Sequence, residues 1–316
     1  MADLVTLGDT SLRLSPEGNE RLETATDVRM RTTGTASNVA VAAGRMGADA
    51  LWLSKLPSSL LGRRVIAELH EHGIETEVAW SDEGRQGLTF YESAPQPRET
   101  VQIDDRTEAT AGTMTPGELS MDDVQSAASV FAAGSTMALS STAAETVQAV
   151  LRAGGSGSDF AAFDLDYRPS MWSAEDARAT VTNVFDAVEV LIASEDDVRR
   201  VLDRDGQPRE MAHTIAAEWD FQMVVITRSE HGALAYHDGV IHDRDAIETE
   251  AVDDTGQHEA FIGAFLARLL EGADTDDALA AGVGMAALTR TIPGPLTTVD
   301  RTEVDHLLEE SGDTGF

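Results

Sequence analysis

The sequence predicts an α/β protein: one central, mostly parallel sheet covered by helices on both faces. Short, mostly apolar runs such as Met223–Thr227 alternate with helical segments of ten or more residues, and glycines close several of those helices. In order, Leu4–Leu7 is the first strand and ends in Gly8. Residues 37–46 carry small apolar side chains at helical spacing up to Gly47, residues 50–53 form a strand, and residues 60–72 form a helix closed by Gly73. The alternation continues with strand Ser129–Ala133, helix 143–152, strand 160–165, helix 174–185 and strand 188–193. Helices within 195–202 and 210–219 and the strand Met223–Thr227 complete it. Beyond Asp254 the chain reads as helical almost throughout, at 261–270, 277–289 and 301–310. Segments 9–33 and 84–106 break the rhythm with short alternating runs between Gly and Pro, and are expected to form a small antiparallel β lid. With no internal repeat or long linker, residues 1–316 read as a single domain carrying that discontinuous lid.

Composition excludes several functions. There are 56 acidic residues against 23 basic ones, a net charge of −33, and Lys55 is the only lysine. At molar salt the Debye length falls to ~3 Å and such self-repulsion is screened, so the surface suits a salt-rich cytoplasm. The same balance argues against nucleic-acid or membrane partners, which need basic patches. The absence of cysteine excludes disulfides and thiolate metal sites. The N-terminus lacks the basic and apolar regions of a signal peptide, and no apolar stretch approaches the ~20 residues that span a bilayer. A soluble, cytoplasmic protein is expected. A Walker loop is excluded because the only lysine sits in WLSKLP. The GGSG run at 154–157 follows a helix and precedes a strand, which is the order of a plain loop rather than a dinucleotide turn.

The stretch DDTGQHEAF at 253–261 carries most of the chemistry. An apolar–polar run ends at Val252 and a helix begins near Gly256. A strand–turn–helix junction aims unpaired backbone N–H groups and a positive dipole end at one spot, which suits an anion. Glu259 on the first helical turn could accept a proton from an attacking hydroxyl. The same residues also suit a plain cap, with Asp254 or Thr255 capping the helix and Glu259 complementing its dipole.

This segment resembles the second signature of the PfkB or ribokinase-like carbohydrate kinases, Asp-Thr-x-Gly-Ala-Gly-Asp-x-Phe, through Asp253, Gly256, Phe261 and the following GAFL. Gly34 to Asn38 followed by VAVAAGRMG is similar to the family's first signature. FDLDYRPSMW at 163–172 resembles a run of its 2-keto-3-deoxygluconate kinases, and VITRSEHGA at 225–233 resembles its nucleotide border. The resemblance implies a ribokinase-like three-layer fold, ATP and Mg²⁺ as cofactors, and a small sugar or sugar acid as substrate; a homo-oligomer is expected. It implies Glu259 as base and Gly256, Gln257 and His258 as anion hole. Gly34, Asn38, Thr89, Arg106 and Arg168 would hold the sugar, Ser194, Thr227, Ser229 and Gly232 the nucleotide, and Asp197 the metal.

The departures lie at the chemistry. The family's Gly-Ala-Gly-Asp reads Gly256-Gln257-His258-Glu259 here. Glutamate carries its carboxylate one methylene further out, and a displacement of ~1 Å can cost ~100-fold in rate. An imidazole at 258 is expected to crowd the phosphates. Thr89 and Asp104 stand where tyrosines are common, and Ser194–Asp197 replaces Asn-x-x-Glu. Slow transfer is therefore expected, accelerated at least about tenfold by restoring Ala-Gly-Asp. Two readings stand at this point: an ATP-dependent kinase of a sugar acid such as 2-keto-3-deoxygluconate, and a silent relative that binds a ligand or partner.

Overall fold

The apolar runs assemble in a computed structural model that describes residues 2–95, 97–155 and 159–312. The strands are β1 (Leu4–Leu7), β2 (Ser11–Ser15), β3 (Arg29–Thr33), β4 (Ala50–Pro57), β5 (Glu75–Ser81), β6 (Leu88–Glu92) and β7 (Val101–Asp105). They continue with β8 (Ser129–Ala133), β9 (Phe160–Asp164), β10 (Val190–Ser194), β11 (Met223–Thr227), β12 (Ala233–His237) and β13 (Val240–Arg244). The main sheet runs β13-β12-β11-β10-β9-β8-β1-β4-β5, parallel except at β12 and β13.

Successive strand residues feed opposite cores, as a sheet covered on both faces requires. Leu4, Phe131, Ile192 and Val225 pack with α1 (Thr35–Arg45) on one face, and Val5, Val130, Leu191 and Val224 pack on the other. Helix α2 (Leu60–Glu71) joins α1 on the first face. The second face is covered by α3 (Met121–Ser126), α4 (Gly134–Met137), α5 (Ser141–Gly154), α6 (Ala174–Val181), α7 (Glu195–Val201) and α8 (Pro208–Trp219). The chain closes on the first face with α9 (Gln257–Leu270), α10 (Thr275–Thr289) and α11 (Arg301–Ser311). Helices α1 and α9 approach so closely that a Cβ on Gly263 would lie 2.5 Å from the Ala42 Cβ. That contact fixes the start of α9 against the first-signature helix.

The lid segments form a separate sheet, β3-β2-β6-β7. Its expected antiparallel pairing is corrected at one place: β2 and β6 run parallel, Leu12 facing Leu88. Each follows a strand of the main sheet, β1 and β5, and those run the same way, so both leave in one direction. The helix expected over 174–185 stops at Val181, and a tighter turn over Thr182–Ala187 seats Val184 and Phe185 in the core. The strand expected to end at Val252 is absent. Val252 is 58% exposed, and the N–H groups of Val252 and Asp253 donate to the carbonyl of Arg290, which caps α10 and has no helical partner. Of the run read as a loop at 154–157, Gly154 ends α5 and residues 156–157 lie outside the described residues.

Candidate active site

The carboxyl ends of β9, β10 and β11 bring Asp164, Ser194 and Thr227 to one edge of the sheet, where open α/β sheets bind ligands. The turn before α9 faces them. Gly256 is its N-cap at φ +79°, and a Cβ there would meet the Pro295 carbonyl oxygen at 2.1 Å, so only glycine fits.

The cap reading of Asp254 and Thr255 is corrected, because no side chain caps this helix. Thr255 instead bonds to Asp253 and to Arg13, and Asp254 pairs with Arg290 at 3.5 Å. The Asp253 carboxylate also accepts from the N–H groups of Thr255 (3.1 Å) and Gly294 (3.0 Å), which fixes the turn. Among the described residues nothing accepts from the N–H groups of Gly256, Gln257 or His258, which leaves a cradle of open donors at the start of α9. Gly256→Ala is expected to cost roughly 1–3 kcal/mol in backbone strain and to lower turnover at least about tenfold, read from urea melts and initial rates.

Two cavities meet at this turn. One, about 190 Å³, is lined by Thr227, Ser229 and Gly232 and by an apolar wall of Ile247, Phe261 and Val283. The other, about 300 Å³, lies under the small sheet and gathers Gly34, Thr89, Arg106, Arg168, Asp197 and Glu259. Ser194, Gln257 and His258 line both. Asn38, expected on the sugar, lines neither: its amide bonds to Gly34 N–H (3.3 Å) and the Pro295 carbonyl (3.1 Å) and braces the turn.

Glu259 lines the second cavity, 3.9 Å from an Arg168 nitrogen. Burial raises its pKa above the usual carboxylate value, as suits a base. Arg168 also bonds Asp166 at 2.8 Å, and its buried Nε has no partner. Burial pushes Asp166 up, but Arg168 and the hydroxyls of Ser135 and Thr35 more than offset it and leave Asp166 low. Arg106 is already compensated, by Asp9 at 3.0 Å and Asp104 at 3.3 Å. Thr89 donates to Asp104 at 3.3 Å and shares a hydrogen bond with Ser11 at 2.8 Å.

His258 does not point loosely into the cradle. Its Nε2 lies 3.0 Å from Asp164 Oδ2, which is wholly buried, and its Nδ1 lies 3.3 Å from Thr227 Oγ1. Burial opposes its charge, but Asp164 overcomes that and raises its pKa to about 9. The expected obstruction is therefore an oriented imidazolium.

Sequence reasoning missed Arg13. Its guanidinium lies 3.7 Å over the Tyr91 ring, bonds Thr255 and Asp253, and lines the second cavity. Among the described residues no three His, Asp or Glu converge as a metal cluster. Mg²⁺ bound chiefly through phosphates and water needs only one or two carboxylates. Asp197 supplies one on the cavity wall, with its pKa raised to about 6 by burial and by Asp164 and Asp166, so the donor set fits.

The chain matches the model of the pfkB family carbohydrate kinases over residues 1–301. It is 46% identical over 315 residues to a 2-dehydro-3-deoxygalactonokinase of the halophile Haloferax volcanii, covering 100% of this chain and 99% of that one. A solved 2-dehydro-3-deoxygluconokinase from Thermotoga maritima superposes with a TM-score of 0.91 at 25% identity, covering 98% of this chain and 100% of the other. A putative ribokinase II from E. coli, solved with ATP and Mg²⁺, shares the fold with a TM-score of 0.89 at 18% identity, covering 98% and 100%.

Proposed function

The chain belongs to the pfkB family of carbohydrate kinases, and on that premise we propose that it phosphorylates a 2-keto-3-deoxy sugar acid with ATP. The observation that carries the proposal is one juxtaposition. The Glu259 carboxylate and the Arg168 guanidinium share the cavity under the small sheet, at the mouth of the N–H cradle that the nucleotide cavity also reaches.

In this reading the adenine lies against Ile247, Phe261 and Val283, and the phosphates run past Thr227 towards Gly256. A sugar hydroxyl oxygen bonds to the γ-phosphorus while its proton passes to Glu259. The bond from that phosphorus to the bridging oxygen breaks, and its electron pair leaves with ADP. When bound, Mg²⁺ supplies charge neutralisation of the phosphates, and Asp197 is the carboxylate placed to hold it. Arg168, with Asp166 as its one close carboxylate, grips the substrate carboxylate, whereas Arg106 is tied to both Asp9 and Asp104. Nothing in the site favours a silent ligand-binding relative. The acidic surface supports a cytoplasmic setting without nucleic-acid partners, and among the described residues no helix is long and apolar enough to cross a membrane.

ATP turnover against a panel of sugar acids and neutral hexoses at molar salt tests this. Phosphorylation of 2-keto-3-deoxy acids is expected; turnover only of neutral hexoses would overturn the substrate class, and none at all the kinase reading. Arg168→Ala should weaken sugar-acid binding by about 10- to 100-fold in calorimetry, the worth of one charged hydrogen bond of ~1.5–3 kcal/mol. Unchanged binding would remove the clamp.

A further inference from the structure

The substituted turn places one group that the phosphoryl chemistry above does not use. Resting on the kinase reading, we propose that His258 is a catalytic residue: its imidazolium, on the first turn of α9, binds the phosphoryl group in transfer from nucleotide to sugar acid.

Position is the first ground. His258 lines both cavities, so whatever passes between them passes its ring, and 28% of its side chain is accessible there. Orientation is the second. Asp164, at the end of β9, holds Nε2 at 3.0 Å, while Nδ1 has only a 3.3 Å contact with Thr227 on the nucleotide wall. That contact can be exchanged for a phosphate oxygen without disturbing the ion pair. The third ground is the cost of the arrangement. A cation at a helix N-terminus opposes the macrodipole by ~0.3–1 kcal/mol, so it persists there only beside anions.

The charged groups around the ring are Asp164 and Asp166 with Arg168 from the β9 end, Glu259 from its own helix, and Asp197 from α7. The other cations near the passage are committed to neighbouring carboxylates or, for Arg168, to the substrate carboxylate as well. Arg168 bonds Asp166, Arg290 pairs with Asp254, and the only lysine, Lys55, donates to Glu118 and the Thr113 carbonyl. In transfer the hydroxyl oxygen bonds to phosphorus, its proton goes to Glu259, and the bridging electron pair leaves on ADP. His258 keeps both protons and acts through charge alone, beside the open N–H groups of the cradle.

Three readouts test this on the full chain at molar salt. First, kcat of the unmodified enzyme should fall as pH rises through about 9, where the ring loses its charge. Second, His258→Gln should lower kcat about 100-fold and remove that alkaline fall, His258→Lys should stay within about tenfold of the parent, and His258→Gly should slow the enzyme rather than speed it. Third, calorimetry should show His258→Gln losing about tenfold in affinity for adenylyl imidodiphosphate, with ADP changed less than about twofold.

The proposal is overturned if His258→Gln or His258→Gly keeps the parent kcat, or if both nucleotides weaken equally, as a merely structural role predicts. Should the glutamine variant fail to fold, a kcat that stays flat between pH 8 and pH 10 in the parent overturns it. If the parent phosphorylates no sugar acid, the kinase reading fails, and the contrast between the two nucleotides still decides for or against His258.

Discussion

Glu259→Gln is expected to lower kcat by about three orders of magnitude, within the ~10²–10⁴ that a positioned general base contributes, while sugar-acid binding changes little. The amide nearly preserves the shape of the side chain and cannot take the hydroxyl proton. The carboxylate lies in the cavity under the small sheet, buried, with Arg168 at 3.9 Å, and burial raises its pKa. Protonation therefore silences it as pH falls, so the parent's acid limb should sit above that of an ordinary glutamate and disappear in the variant. Single-turnover rates with calorimetric binding decide the matter. Activity that survives the substitution would assign the base to another group.

Asp164→Ala is expected to destabilise the protein by about 1.5–3 kcal/mol near pH 6, the worth of a hydrogen bond to a charged group, because it strips the His258 imidazolium of its partner. Asp164 is wholly buried, and Nε2 of His258 at 3.0 Å is the partner its Oδ2 has there. The pH dependence follows from His258, whose pKa rises from 6.5 unfolded to about 9 folded. A group raised in this way stabilises fully below pH 6.5, and the stabilisation is lost as pH climbs through 9. The gap between parent and variant should therefore narrow across that window. It should persist at molar salt, because a buried pair is screened far less than a surface one. Denaturant melts at pH 6 and pH 10 check both statements, and a gap equal at both would remove the ion pair from the account.

The parallel strands were legible because burial on both faces makes them continuous apolar runs. Ser129–Ala133 and Met223–Thr227 are strands over the residues expected. Strand β5 escaped notice because it is an edge strand whose half-exposed residues, ETEVAWS, carry no such run. The β12–β13 hairpin was readable and overlooked: Asp238 and Gly239, at φ 50° and 79°, are the two-residue turn that joins such strands.

The site divides along similar lines. The structure gathers Thr227, Ser229 and Gly232 on one cavity and Gly34, Thr89, Arg106, Arg168 and Glu259 on the other. Arg13 was out of reach. In Ser11–Ser15, SLRLS, alternation assigns the leucines to a core and the arginine to water, yet that water-facing side borders a cavity and Arg13 is only 5% exposed. The fate of His258 was equally hidden, because Asp164 lies 94 residues away along the chain.

The bonds of Arg13 have a thermodynamic consequence. A strand of the small sheet is tied through one guanidinium to Thr255 and Asp253, the residues that shape the cradle of α9. Any displacement of that strand must stretch those bonds or carry the turn with it. If a ligand under the small sheet draws that strand down, part of its binding free energy falls on the turn that begins α9, and by linkage a ligand held at that turn favours the same movement by the same amount. Arg13 would then couple the two cavities, although it belongs to neither motif.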